Sequence, residues 1–338
     1  MNKRLKTPVA LIIFRRPELT ARVFAEIRKA RPEKLFIIAD GPRPDNAEDE
    51  AACAAARAAV EHVDWDCEVH RDYAESNMGC RLRPPSGLSW VFEHVEEAII
   101  LEDDCVPSPS FFRYCEEMLE RYREDLRVMH IAGCTYRDYD LEVDESYYFS
   151  RLIGAWGWAT WRRAWELYDL DVERWDALRN STWLEGVLEE DFAVSQWAEQ
   201  FDNVRQMGDA YTTWDYQWAF ACWVNSALAI VPQKNLITNV GTGDTATHTF
   251  VDCEVTNLPL KEMPFPMSHP PTVLQGRDMD QRMLQEDRAL SIRIPPSLPT
   301  RIKRFFSRRL SPLFGSAAAV HLPSLLALAQ EPLAALPV

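Results

Sequence analysis

Ala98-Ile99-Ile100-Leu101-Glu102-Asp103-Asp104 is the stretch on which the reading of this chain turns. Four consecutive apolar residues suit a strand covered on both faces, as strands of parallel sheets are. Three acids follow where that strand stops. Like charges this close repel, and relief requires a counter-ion, raised pKa values or strong solvation. Oxygen-only donors of this kind suit a hard divalent cation, Mn2+ or Mg2+, which completes its shell with water and phosphate oxygens. The alternative is a solvated acidic loop leading into the helix that starts near Pro109.

Working outward, the residues before and after this stretch repeat its logic. Val9–Phe14 and Leu35–Ala39 are short apolar runs, Cys67–His70 is a weaker strand, and Val128–Ala132 is another run. Between them lie helical patterns: Leu19, Val23, Phe24 and Ile27 after Pro17, an Ala-rich stretch from Ala47 to Val60, Gly87–Val95, and Phe111–Arg123. Strands alternating with helices are the sequence form of βαβ units, so the fold class is α/β, a mostly parallel central sheet with flanking helices. In such open sheets ligands bind beyond the carboxyl ends of the strands. Those ends carry Arg15-Arg16, Asp40 and Glu102-Asp103-Asp104, a concentration of charge expected at one sheet edge.

Composition narrows the class. The 338 residues carry a net charge of −15, which argues against a nucleic-acid partner. Eight cysteines contain no C-x-x-C pair and read as buried thiols of a reducing compartment. The apolar run Val9–Phe14 is too short for a signal-peptide core or a membrane span, so the expected location is cytoplasmic.

From Tyr147 onward strand alternation is weak except at Ala227–Val231, and ten of the twelve tryptophans lie between Trp156 and Trp223. Trp158, Trp161 and Trp165 have helix-face spacing. Residues 259–271 hold five prolines and read as a linker or wrapping arm. The expected organisation is a catalytic domain over 1–255, a Pro-rich wrapping segment over 256–299 and a basic, apolar tail over 300–338. Five basic residues and one acid in that tail fit a membrane-surface helix, giving peripheral contact with the inner membrane surface, or a C-terminal helix with a disordered end.

Several motifs in order carry a family resemblance. Gly87-Leu88-Ser89-Trp90 through Glu102-Asp103-Asp104, then Pro107-Ser108-Pro109-Ser110-Phe111-Phe112-Arg113-Tyr114, Gly154-Ala155-Trp156-Gly157-Trp158, Trp214-Asp215 and 232–248 resemble the GT-A glycosyltransferases of the N-acetylglucosaminyltransferase I type. Bacterial relatives with an Arg-Pro after the first strand, like Arg16-Pro17, look closer than the Golgi enzymes. The resemblance implies a GT-A, nucleotide-diphospho-sugar transferase fold. It also implies a metal-dependent, inverting transfer from a nucleotide-diphosphate sugar, UDP-sugar favoured, to a hydroxyl of a glycan or lipid-linked acceptor in envelope polysaccharide synthesis.

Under that resemblance Asp104 is a metal ligand, and His248 stands where many such enzymes place a late histidine on the metal or diphosphate. Arg16, Asp40, Glu102 and Asp103 match donor contacts. Asp215 is the expected catalytic base, its aromatic neighbours excluding water; Asp191 and Asp244 are rivals. Sugars stack C–H faces on aromatic rings, so Trp158 and Trp214 are expected to line the sugar pocket. Two other classes stay open. A sugar-1-phosphate nucleotidyltransferase would want glycine in Phe14-Arg15-Arg16-Pro17-Glu18, which has none, and a non-catalytic carbohydrate-binding protein would leave the acids without a purpose.

Overall fold

The structure is a computed structural model that describes residues 4–44, 46–135, 144–241 and 258–293, with side chains as far as 285. Met1–Glu286 make one compact unit; of the elements named below, α10 runs past its end. In chain order its elements are β1 (Val9–Ile13), α1 (Pro17–Ala30), β2 (Lys34–Ala39), α2 (Ala47–Ala59), β3 (Glu68–Tyr73), α3 (Gly79–His94), β4 (Glu97–Glu102), β5 (Cys105–Pro107), α4 (Pro109–Arg121) and β6 (Val128–Ala132). There follow β7 (Tyr147–Ser150), β8 (Trp158–Trp161), α5 (Arg162–Trp165), α6 (Trp175–Leu178), α7 (Trp183–Leu188), α8 (Asp191–Met207), α9 (Asp215–Val224), β9 (Leu228–Pro232), β10 (Ile237–Asn239) and α10 (Arg277–Arg293).

Eight strands form one sheet in the order β3-β2-β1-β4-β8-β6-β9-β7. The first four are parallel, β6 and β9 run the same way, and β8 and the edge strand β7 run against them. Side chains alternate across a strand with period two, and the two cores follow that rule. Val9, Leu11 and Ile13 join Leu35, Ile37, Ile99 and Leu101 on the face covered by α1 and α4. Ala10 and Ile12 join Phe36, Ile38, Ala98 and Ile100 on the face covered by α3 and α9. Glu102, last in β4, has the parity of Ala98 and Ile100, and so belongs to the α3–α9 face.

Two expectations are corrected here. The helix expected at Gly87–Val95 begins eight residues earlier, at Gly79, and runs through Pro84 and Pro85. Its amino end is capped from a distant strand end: the Asp40 carboxylate accepts the backbone N–H groups of Met78 (2.8 Å) and Gly79 (3.0 Å). A local reading of the sequence has no access to such a cap. Trp158 and Trp161 lie in a strand, not on a helix face with Trp165. All four residues of β8 are buried, so it shows no polar alternation, and four residues are too few for a period to emerge. β7 was invisible for the same reason of length.

Residues 258–276 lie along α4 and β7. Met263 and Met267 are buried, Arg113 stacks on Phe265 at 3.8 Å, and the Gly276 N–H donates to the Phe149 carbonyl at 2.7 Å. Seven cysteines fall among the described residues, and all are free thiols. No helix among the described residues is long and apolar enough to cross a membrane.

Candidate active site

The carboxyl ends of β1, β2 and β4 lie side by side, in register Ile13 with Ala39 and Ile12 with Glu102. The acids after β4 separate according to the faces they meet. Asp103 accepts from the Phe14 backbone N–H (3.3 Å) and from the Arg16 guanidinium. Arg16 also reaches Asp104 at 2.9 Å. Burial works against the guanidinium's charge, but Asp103 and Asp104 overcome it and raise the Arg16 pKa. Burial likewise pushes Asp103 up, with Arg16 opposing.

Glu102 has no hydrogen-bond or ion-pair partner among the described residues. Burial, then Asp104 and Asp103, and finally Asp215, push its pKa up to about 8, with Arg16 pulling the other way. That set of neighbours locates Asp215: the half-buried first residue of α9 lies within electrostatic range of the end of β4. Cys80, in the first turn of α3, senses the same group. Its thiol is pushed well up by burial and then by Glu102, Asp215, Asp104 and Asp40. Carboxylates from the end of β2, from β4, from the turn after it and from α9 therefore all act electrostatically on one partly exposed thiol.

A second, two-stranded sheet closes the acidic side. β10 pairs antiparallel with β5, Asn239 opposite Cys105, and the Val240 N–H donates to the Asp104 carbonyl at 2.9 Å. Gly241 then presses on the ion pair: a Cβ there would lie 2.7 Å from Asp104 Cγ and 2.8 Å from Arg16 Nη1. Gly157 performs a similar service for β10. Its φ of +58° is in the left-handed region, and a Cβ would lie 2.6 Å from Ile237 Cγ1. The glycine of the Gly-Trp pair thus lets β10 approach β8.

Arg16, Asp40, Glu102, Asp103, Asp104 and Asp215 are brought to this edge. Asp40, however, spends its carboxylate on the loop before α3, accepting from the N–H groups of Gly41, Met78 and Gly79 and from Asn77 Nδ2 at 2.8–3.0 Å. Its expected contact with a donor gives way to a capping role. Trp158 and Trp214 are also corrected. They are 0% and 2% exposed and stack on each other at 5.7 Å within a core that includes Trp165, Trp218 and His130, so neither offers a face to a sugar. Aromatic residues near an acid were read as a platform; they are large apolar groups filling the space under α9. Asp191 starts α8 at the surface. His248, Asp244 and the 300–338 tail lie outside the described residues.

The sequence reading missed Cys80 and His130. Cys80 stands seven residues before the helix start expected from the sequence. His130 is a fully buried imidazole whose pKa burial lowers to about 3. Parity alone would place His130 on the same face as Val128, but the register shift between the two turns it to the opposite face, onto Trp158.

The donor set has the chemistry for a hard divalent cation: carboxylate oxygens, more of them than Arg16 neutralises, in a partly dry position. Glu102, which has no partner among the described residues, and Asp104, whose Oδ1 takes only a thiol contact from Cys105 at 3.4 Å, would hold it, whereas Asp103 is bound by both Phe14 and Arg16. Among the described residues no group of three or more His, Cys, Asp or Glu is gathered tightly enough to hold an ion. A cavity of about 720 Å³ lies at the opposite end of the sheet, lined by Lys6, Glu97, Arg113, Arg121 and His269 among others, and includes none of these residues.

No protein-family model matches the chain, and no curated protein matches its sequence. Among solved structures, the crystal structure of residues 1–349 of S. aureus TarS aligns over 68% of this chain with a TM-score of 0.37 and 8% identity. The aligned part spans 59% of that TarS chain. UDP-glucose pyrophosphorylase in complex with UDP-glucose aligns over 48% of this chain and 78% of its own, with a TM-score of 0.28 and 12% identity. Likenesses of this size assign no activity.

Proposed function

We propose that this chain is a GT-A-type glycosyltransferase that moves a sugar from a nucleotide diphosphate, a UDP-sugar in the first instance, to a hydroxyl of a glycan or lipid-linked acceptor. One observation carries the reading: Asp215 lies within electrostatic range of Glu102, and both act with Asp104 on the Cys80 thiol, although more than a hundred residues separate Asp215 from them in sequence. A displacement at an anomeric carbon needs two things close together, neutralisation of a departing diphosphate and removal of a proton from the incoming hydroxyl. Glu102 and Asp104 would hold Mn2+ or Mg2+, and a divalent cation there supplies positive charge to the leaving diphosphate.

The residues divide the remaining work. Arg16 holds Asp103 and Asp104 in place at the ends of β1 and β4. Asp215 takes the proton as the acceptor oxygen bonds to the anomeric carbon and the bond to the nucleoside diphosphate breaks; one carboxylate opposite the leaving group makes the transfer inverting. The aromatic core beneath α9 keeps water from the back of that carboxylate.

A nucleotide-sugar panel read by thermal shift tests this, because a ligand that binds the native state alone raises apparent stability. UDP-sugars should raise the melting temperature with Mn2+ present and not with a chelator. On incubation the products should be free sugar and nucleoside diphosphate. Release of pyrophosphate from a nucleoside triphosphate and a sugar phosphate would instead make the protein a nucleotidyltransferase, and no metal-dependent shift with any donor would end the proposal. For the basic tail we propose peripheral membrane contact: deleting 300–338 should leave catalysis in place and reduce binding to anionic liposomes in a sedimentation assay.

A further inference from the structure

We infer that His130 is a positioning residue for Asp215, tying down Trp214 before it and Trp218 one turn after it; the catalytic part of this rests on the proposed role of Asp215 as base. His130 projects from β6 and is fully buried, with both ring nitrogens engaged. Nδ1 lies 3.1 Å from the indole Nε1 of Trp218, and Nε2 lies 2.9 Å from the Gly154 carbonyl. An indole N–H can only donate and a carbonyl can only accept, so Nδ1 is the acceptor and Nε2 carries the proton. The partners select one neutral tautomer, and burial keeps it neutral at any working pH.

Trp218 stands three residues after Asp215 on α9, so the two share a face of the helix. Holding the Trp218 indole fixes the rotation of α9 about its axis, and with it the direction of Asp215. The other flank is tied by stacking. The His130 ring lies on Trp158 at 5.1 Å and 19°, and Trp158 lies on Trp214 at 5.7 Å and 26°. Trp214 immediately precedes Asp215, and its carbonyl accepts the Tyr168 hydroxyl at 3.1 Å. One imidazole therefore reaches the residue before the carboxylate through a ring stack and the residue three later through a hydrogen bond. The same ring holds the Gly154 loop, which leads through Gly157 to β8.

The two nitrogens can be tested separately, because amide side chains copy one at a time. In His130→Asn the Oδ1 replaces Nδ1 and can still accept from Trp218. In His130→Gln the Nε2 can still donate to Gly154, and the link to α9 is lost. Trp218→Phe cuts that link from the other side and keeps an aromatic ring. The readouts are amide hydrogen exchange across 214–218, turnover, and donor KM, each set beside the melting temperature of the variant.

Expected is faster exchange at 214–218 in His130→Gln and Trp218→Phe. Turnover should fall about 10- to 100-fold at unchanged donor KM, as for a carboxylate displaced by about an ångström. His130→Asn should keep most of both. The two link-breaking changes should be non-additive when combined. If all variants instead lose exchange protection and turnover in proportion to melting temperature, whichever nitrogen is copied, His130 is a core residue and no more. Unchanged exchange at 214–218 in both link-breaking variants would likewise overturn the inference. The exchange arm stands on its own: should Asp215→Asn leave turnover intact, the base assignment fails, and exchange still decides whether His130 positions α9.

Discussion

Replacing Glu102 with Gln should stabilise the protein and disable it at once. The carboxyl is raised from 4.5 to about 8 by burial and by Asp104, Asp103 and Asp215. Between those two values the folded state keeps a proton that the unfolded state has released. Stability from this group is therefore greatest below about pH 4.5 and is lost as pH rises to about 8. Each unit of such a shift corresponds to about 1.4 kcal/mol. Partial exposure of Glu102 screens the effect, leaving about 2–3 kcal/mol between the two ends.

Gln copies the protonated acid at every pH. In a chelator at pH 8, Glu102→Gln should then melt about 5–10 °C above the native protein, at about 2–4 °C per kcal/mol, and the two should coincide near pH 4.5. Adding Mn2+ should reverse the order, because the native protein alone retains the excess carboxylate. The assay is differential scanning fluorimetry across pH 4.5–9, with and without the ion. A variant no more stable than the native protein at pH 8, or one still stabilised by Mn2+ to the native extent, would refute the account of Glu102 as an uncompensated charge awaiting a cation.

Other substitutions probe neighbouring parts of the site. Asp215→Asn should bind donor normally in a thermal-shift titration while losing about 10²–10⁴-fold in turnover, the range for removing a general base. Gly157→Ala should cost about 2–5 kcal/mol in urea unfolding, from a left-handed backbone and a methyl driven into Ile237. Asp40→Ala, which strands the donors of Gly41, Asn77, Met78 and Gly79, should cost about 2–4 kcal/mol and loosen the amino end of α3, read by hydrogen exchange at 77–82.

Much of the fold was legible because its signals are local. A parallel strand covered on both faces must be apolar throughout, and Val9–Ile13, Leu35–Ala39 and Ala98–Leu101 are. Helices against such a sheet need an apolar stripe, as α1 and α4 have. The gathering of charge at the strand ends follows from the same topology, since parallel strands bring their carboxyl ends to one edge. What was illegible depended on partners far away in sequence. Asp40 was read as a ligand contact, but its oxygens satisfy a helix end beginning thirty-nine residues later, at Gly79.

The tryptophans show where the boundary falls. Sequence alone determined that an acid in Trp214-Asp215-Tyr216-Gln217-Trp218 would have aromatic neighbours, because adjacency is covalent. Only the tertiary structure decided that the Trp214 and Trp218 rings point inward, onto Trp158 and His130, and that Asp215 comes within electrostatic range of Glu102. The physical reason is that a side chain's direction follows from the rotation of its helix against the sheet. In α9 that rotation is set by the packing of buried rings and one imidazole eighty-eight residues before Trp218, on β6.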